Sequence, residues 1–347
     1  MEPFHHRESV RRHAGRFLVI IAATAFLCGA CTRTEQPMRA DGEAQGTYYS
    51  VLYYDRQHRD LTAQIDSLLD AFDQTASLWV DSSLLRRLNA GSTTLVTPLF
   101  ADILDKALLM NRYTDGAFDC RIGRIVQAWG FSFRERSEPD SSTLATLLAE
   151  ARGGIALHGD TLVRENAGTE LDFNAIAQGY ASDLVARWLE HQGIERYLVD
   201  IGGEVIARGE KEGGKAWRVG IERPAEDRYS APVVETSIAL RDAAVVTSGS
   251  YRKYYERDGV RYSHTINPAT GRPVEHTLLS VSVVEKECWL ADAMATAYMV
   301  MGLDSALAFI ACHPGEPGTD AVLFLYDDHG TLRSHATEAW NSLSVER

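Results

Sequence analysis

Asp292 and Thr296 stand one helical turn apart in the segment 291–296, a spacing that on a helix carries both side-chain oxygens to one face. Two hard oxygens so placed suit a magnesium ion, which takes oxygen ligands and completes its shell with water and substrate phosphates. The plainer reading of the same pair is a helix start, with Asp292 as cap and Thr296 as packing. His264 lies where a β-like run passes into a turn rich in Pro and Gly. An imidazole at a strand end can take the proton of an attacking hydroxyl, although one His among 11 is equally an ordinary surface or packing residue. Gly202 and Gly203, between two β-like runs, require a tight turn or a close approach of the backbone to another group. Thr247, Ser248 and Ser250 around Gly249 offer hydroxyls suited to phosphate or ribose, and equally to a turn.

Other chemistries are excluded. The segment 209–215 fits G-x-x-x-x-G-K, yet Ala216 stands where a Ser or Thr would hold magnesium, and a β-like run follows in place of a helix. It reads as a solvated hairpin tip. No G-x-G-x-x-G, H-E-x-x-H or G-x-S-x-G occurs, which removes the commonest dinucleotide, zinc-protease and serine-hydrolase sites. At 347 residues, with 45% apolar and 24% charged residues, the chain is globular and not disordered. Its formal charge of −13 argues against a nucleic-acid partner, which needs a basic stripe. An anionic nucleotide would require a local site or a metal.

The elements that must carry these residues are read from periodicity. A strand is expected at 46–54 and a helix at 61–76, where Leu61, Ile65, Leu68, Leu69 and Phe72 fall at helical spacing. Asp81 or Ser82 is the expected cap of a short helix ending near Asn89, and 98–113 repeats the helical period toward a stop at Gly116. A helix at 142–151 precedes a hairpin at 158–160. The strongest helix is 174–191, with Ile176, Tyr180, Leu184 and Trp188 on one face. Short β-like runs follow at 196–201, 204–207, 217–221, 233–238, 243–246 and 278–284, then helices at 289–301 and 304–312 and a strand at 321–326. Segregated strands and helices indicate an α+β fold. Antiparallel packing of the last two helices about Gly302 would bring Cys288 and Cys312 together for a disulfide, unless they are buried small hydrophobes.

Residues 1–16 hold Arg7, Arg11, Arg12 and Arg16, while 17–30 are uncharged and end in Gly29 and Ala30 before Cys31. The run is short for a spanning helix and reads as a signal sequence with a lipoprotein-type ending, although Cys28 stands where an aliphatic residue is usual. An uncleaved amino-terminal anchor is the alternative. Lipidation of Cys31 would hold an exported domain at a membrane surface. Residues 31–44 are polar and aperiodic and read as a tether, leaving the domain to 45–340.

Taken together and in order, 172–183, Gly202-Gly203-Glu204, 247–251, 264–271 and 291–296 resemble the FAD:protein FMN transferase family, the ApbE family, from about Gln45 to the last strand. The resemblance implies an ApbE-like, T-fold-related domain of mixed sheet and helix. It implies a magnesium ion held by the Ala175 carbonyl, Asp292 and Thr296, with His264 as base. FAD would be the substrate, touching Gln45, Trp79, Ala117, Phe118, Asp119, Asp172, Gln178 and Ile266. The implied reaction moves FMN to a threonine hydroxyl of an acceptor protein and releases AMP, and flavin-carrying subunits of membrane redox complexes are the implied acceptors. Members are typically exported, often as lipoproteins, which would place this domain in the periplasm, anchored to a bacterial membrane through Cys31. Gln178 stands where many members have Lys or Glu, Ala295 where some have an acid, and Arg121, Asp200 and Asn267 replace a common Thr, Asn and Asp. Two alternatives share the resemblance: an FAD pyrophosphatase with water as acceptor, and a lipoprotein that binds FAD without turnover.

Overall fold

A computed structural model describes residues 36–131, 139–224, 231, 233–250, 254–257 and 260–345. Its centre is an eight-stranded antiparallel sheet in which spatial order repeats chain order. The strands are β1 (Met38–Ala44), β2 (Thr47–Tyr53), β3 (Tyr197–Ile201), β4 (Glu204–Arg208), β5 (Ala243–Gly249), β6 (Leu278–Glu285), β7 (Ala321–Asp328) and β8 (Thr331–Ala336). Pairings such as Val51 with Val199, Val205 with Val245 and Val281 with Ser248 fix the register. Both faces are covered over the middle of the sheet, so its central strands are apolar on both sides, while the edge strands β1 and β8 are polar and partly exposed.

One face, through Tyr49, Val199, Val246 and Val283, packs against helices Thr62–Ala76, Pro98–Tyr113, Ala177–His191 and Cys288–Met301. The other face, through Val205, Val245 and Leu325, packs on Trp217, Leu240 and Trp340 of a small second sheet and the helix Glu338–Leu343. Helix Cys288–Met301 is buried on nearly every side because its sequence is apolar or small all round. Each fully buried large side chain in these layers stabilises by roughly 1.5–3 kcal/mol.

Element types follow the periodicity, and the α+β reading holds. Capping decides several boundaries. Helix Leu84–Asn89 is capped by Ser83, whose hydroxyl accepts from the Arg86 N–H, and not by Asp81 or Ser82. Thr97 and Asp140 cap their helices in the same way, Thr97 with Pro98 in the first turn. The helix expected from 174 begins at Ala177, after an irregular turn. Helix Gly123–Ala128, strand β8 and helix Glu338–Leu343 were not expected, and Ser344–Val345 still pairs with Ser237 and Ile238, so the fold runs past 340.

The expected tether also needs correction. Met38–Ala44 is a sheet strand despite its Gly, Asp and Glu, because β2 offers a full edge and Ala40 is buried against it. The signal sequence, Cys28 and Cys31 lie outside the described residues, and among the described residues no helix is long and apolar enough to cross a membrane. Cys288 and Cys312 do not form a disulfide. Cys288 is buried at a helix start against Gly179, whereas helix Leu303–Cys312 buries only Ala306 completely and ends with Cys312 facing solvent.

Deleting β1 leaves Ala40's partners wet and removes a whole ladder of hydrogen bonds. Protein beginning at Gln45 is expected to be less stable by about 2–4 kcal/mol than protein beginning at Pro37, from the several lost contacts at ordinary mutational cost. Urea denaturation of both truncations checks this, and equal midpoints would mean that β1 is dispensable.

Candidate active site

Alternate connections of an antiparallel meander fall at the same end of the sheet. Here the β1–β2 turn at Gln45 and Gly46, the β3–β4 turn at Gly202 and Gly203, and the end of β5 at Thr247 to Gly249 therefore lie together. They rim a cavity of about 1170 Å³ that also takes in 172–178, His264 to Ile266 and the middle of helix Cys288–Met301. Every site residue expected from the sequence lines it: Gln45, Trp79, Ala117, Phe118, Asp119, Asp172, Ala175, Gln178, His264, Ile266, Asp292 and Thr296.

The donors at its floor are set by two helices that press together at Gly179. A Cβ there would lie 2.5 Å from the Cys288 carbonyl oxygen and 2.7 Å from Asp292 Cβ, so only glycine permits the approach. Gly179 N–H, an orphan donor of the first helical turn, donates to Asp292 Oδ2 at 3.0 Å. Asp292 Oδ1 has no partner among the described residues, and the side chain is only 5% exposed. Burial pushes its carboxyl well above the usual carboxylate range. One turn on, Thr296 Oγ1 lies 3.3 Å from Ser248 Oγ. Ala175 sits in the irregular turn before helix Ala177–His191, where no described backbone N–H donates to its carbonyl. A carboxylate oxygen of a largely buried Asp292, a hydroxyl and a free carbonyl, all on one cavity, fit a magnesium ion. Among the described residues there is no cluster of three or more His, Cys, Asp or Glu that would offer a different metal cage.

The remaining walls suit a nucleotide. Gln45, at φ 52°, has a buried Nε2 with no hydrogen-bond acceptor among the described residues, a donor left available beside the cavity. Its N–H reaches Asp73 Oδ2 at 3.4 Å. Trp79 is 58% exposed on the rim, which removes a core role for it. Phe118 is the reverse case: its ring is in the core and its carbonyl is taken by Asn111, so it forms wall. Asp119 is gripped by both ends of the Arg121 guanidinium, which also reaches Asn111, and this is what Arg121 does here. Asp200 accepts from Gly203 N–H and Tyr48 Oη–H, bracing the glycine turn. Asn267 accepts from Ala269 N–H to shape the turn after His264, a bond that Asp would make equally well. Gln178 lies over Gly202, where a Cβ would be 2.7 Å from its Nε2. Asp172 is buried, and burial pushes its carboxyl up to about 6 against the opposing hydrogen bond from Asn174 N–H.

Gly179 and Asp73 were not singled out in the sequence, whereas Ser248, read there as a hydroxyl suited to phosphate or ribose, lines the cavity beside Thr296. The spacing of Gly179 from Ala175 within one turn was a usable signal. Asp73 gave none, since its contact with Gln45 N–H comes from a turn crossing.

The fold and the cavity define a class: an α+β domain with a nucleotide-sized cavity, lined by oxygen donors that fit a divalent cation, at one end of an antiparallel sheet. The sequence profile of the ApbE family matches residues 45–323, and the chain belongs to that family. It is similar to the FAD:protein FMN transferase of Vibrio cholerae serotype O1, at 34% identity over 302 residues covering 84% of this chain and 89% of the relative. The Escherichia coli K12 protein of the same description is 34% identical, covering 83% and 87%. Among solved structures, the flavin transferase ApbE from Vibrio cholerae superposes with a TM-score of 0.77 at 32% identity, covering 89% of this chain and 99% of that one. The apo flavinyl transferase ApbE of Pseudomonas stutzeri gives 0.77 at 32%, covering 89% and 96%.

Two outcomes follow from exposure and burial. Trp79→Ala should leave stability within about 0.5 kcal/mol, as for an exposed side chain. It should weaken FAD retention about fivefold, the worth of one aromatic contact near 1 kcal/mol; denaturation and FAD titration of the same sample separate the two. Asp172, with its carboxyl raised, stabilises the fold fully below the unfolded value near 4 and loses that contribution as pH rises through about 6. Relative to Asp172→Asn, the FAD-free wild type should therefore lose about 2–3 kcal/mol between pH 4 and pH 7.5. A pH-independent difference in urea midpoints would contradict this.

Proposed function

We propose that this chain transfers FMN from FAD to a threonine hydroxyl of an acceptor protein and releases AMP. The reading is supported by one observation above others: Asp292, Thr296, the Ala175 carbonyl and His264 come from distant segments to a single nucleotide-sized cavity. Ala175, Asp292 and Thr296 would hold magnesium, which neutralises pyrophosphate charge and eases departure of the AMP phosphate. The chain's own residues do the remainder. Gln45 and Trp79 fit the flavin end, and Asp119, backed by Arg121, with Ile266 fits the adenine end. His264, held by a Pro/Gly turn, accepts the proton of the acceptor hydroxyl as its oxygen bonds to the FMN phosphorus. The bond from that phosphorus to the bridging oxygen breaks, and AMP leaves with the electron pair.

The amino-terminal sequence supports export and lipidation at Cys31, which would set the domain on the periplasmic face of a bacterial membrane, near flavin-carrying subunits of membrane redox complexes. Because β1 starts at Met38, a tether would be confined to 32–37.

Incubation with FAD, Mg²⁺ and a threonine-containing acceptor peptide, following AMP and peptide mass together, tests the reading. Equal amounts of AMP and FMN-peptide are expected. AMP with unmodified peptide would mean hydrolysis, and FAD retained intact would mean storage. Asp292→Ala should abolish AMP production with the fold retained. His264→Ala should lower kcat by about 10²–10⁴ while FAD affinity stays within twofold.

A further inference from the structure

We propose that Asp183, which lies outside the cavity, is the positioning residue for the cation donors on helix Cys288–Met301. This rests on the reading of Ala175, Asp292 and Thr296 as those donors.

Helix Cys288–Met301 starts without a cap of its own, since the Glu287 side chain makes no capping bond. Its first two N–H groups go instead to another helix: Cys288 N donates to Asp183 Oδ1 at 3.0 Å and Trp289 N to Asp183 Oδ2 at 2.8 Å. Asp183 is 3% exposed. One turn earlier on its helix, on the same face, Gly179 N–H donates to Asp292 Oδ2, which is itself one turn beyond Cys288. Each helix thus caps the other, and the two caps close a ring of contacts that contains Asp292. The ring fixes rotation and sliding of the two helices at once, because either motion breaks one cap. Ala175 lies two residues before the first helix and Thr296 follows Asp292 by one turn. Their separation is therefore governed by the ring, and removing Asp183 frees the start of the second helix to shift.

A purely structural Asp183 would affect only stability. Calorimetric titration of Mg²⁺ into the full-length, FAD-free protein distinguishes the two, read beside kcat and KM for FAD. Asp183→Ala and the volume-preserving Asp183→Asn should weaken Mg²⁺ binding about 10–100-fold, the usual effect of losing a group that orients a metal ligand. They should lower kcat while KM for FAD at saturating Mg²⁺ stays within twofold. Asn should fall between Ala and wild type, as it keeps one acceptor. Tyr180→Phe is the control. Tyr180 shares a helix with Asp183, and the change removes only its Oη–H bond to Asp102 on helix Pro98–Tyr113, 2.6 Å, so it should lower Tm without altering Mg²⁺ affinity. Should Asp183→Ala fail to fold, Asp183→Asn carries the test. Mg²⁺ binding that survives Asp292→Ala would remove the donor assignment and the proposal with it. Binding lost in Asp292→Ala but unchanged in Asp183→Asn would overturn the positioning role alone, as would equal weakening in Tyr180→Phe.

Discussion

The contact between two helices at Gly179 is the constraint from which the site descends. Two carboxylates, Asp183 and Asp292, are buried there, and burial raises both. Unpaired, each would cost several kcal/mol. Three backbone N–H groups answer them, each such charged hydrogen bond contributing roughly 1.5–3 kcal/mol. Those N–H groups are themselves orphans of helix starts, so two unfavourable features cancel. One oxygen of Asp292 receives no hydrogen bond from the described residues, which is why it fits the proposed cation site.

The sheet supplies the other half of the arrangement. An antiparallel order keeps alternate turns at one end, so Gln45, Gly203 and Gly249 share one end of the sheet although 54–196 lies between β2 and β3. Ser248 then touches Thr296 because β5 lies beneath the helix that carries it. Part of the rim's irregular backbone is braced locally, as Gly203 N–H is by Asp200.

Much of this was legible in the sequence, for reasons that also explain what was not. The helical spacing of Asp292 and Thr296 required no tertiary knowledge, and neither did the apolar faces of Thr62–Ala76 and Pro98–Tyr113. Met38–Ala44 escaped because an edge strand can be recruited by its neighbour against its own composition. The Cys288–Cys312 pairing failed because adjacency along the chain does not say which helix end faces solvent. Ala175 could be suggested only by resemblance: a carbonyl has no side-chain signature, and its freedom depends on where the next helix begins. Nothing in the local sequence says which way Trp79 faces; the turn that follows Ala76, in which Trp79 N–H bonds Ser77 Oγ, directs it outward.

The position of β3 beside β2 bears on how the chain can assemble. Between Tyr53 and Tyr197 lies the stretch 54–196, with most of the helical layer in it. Closing so long a loop adds only about 2 kcal/mol over a ten-residue one, at ~0.6 kcal/mol per doubling. The equilibrium cost is small, but timing is another matter. During synthesis β1 and β2 exist as a lone hairpin, marginal by itself, and the helices that follow have no sheet on which to bury their apolar faces. Nothing can lock until Ile201 has emerged, and a ribosome stalled or a chain cut before that residue leaves a fragment with a sheet edge and no middle.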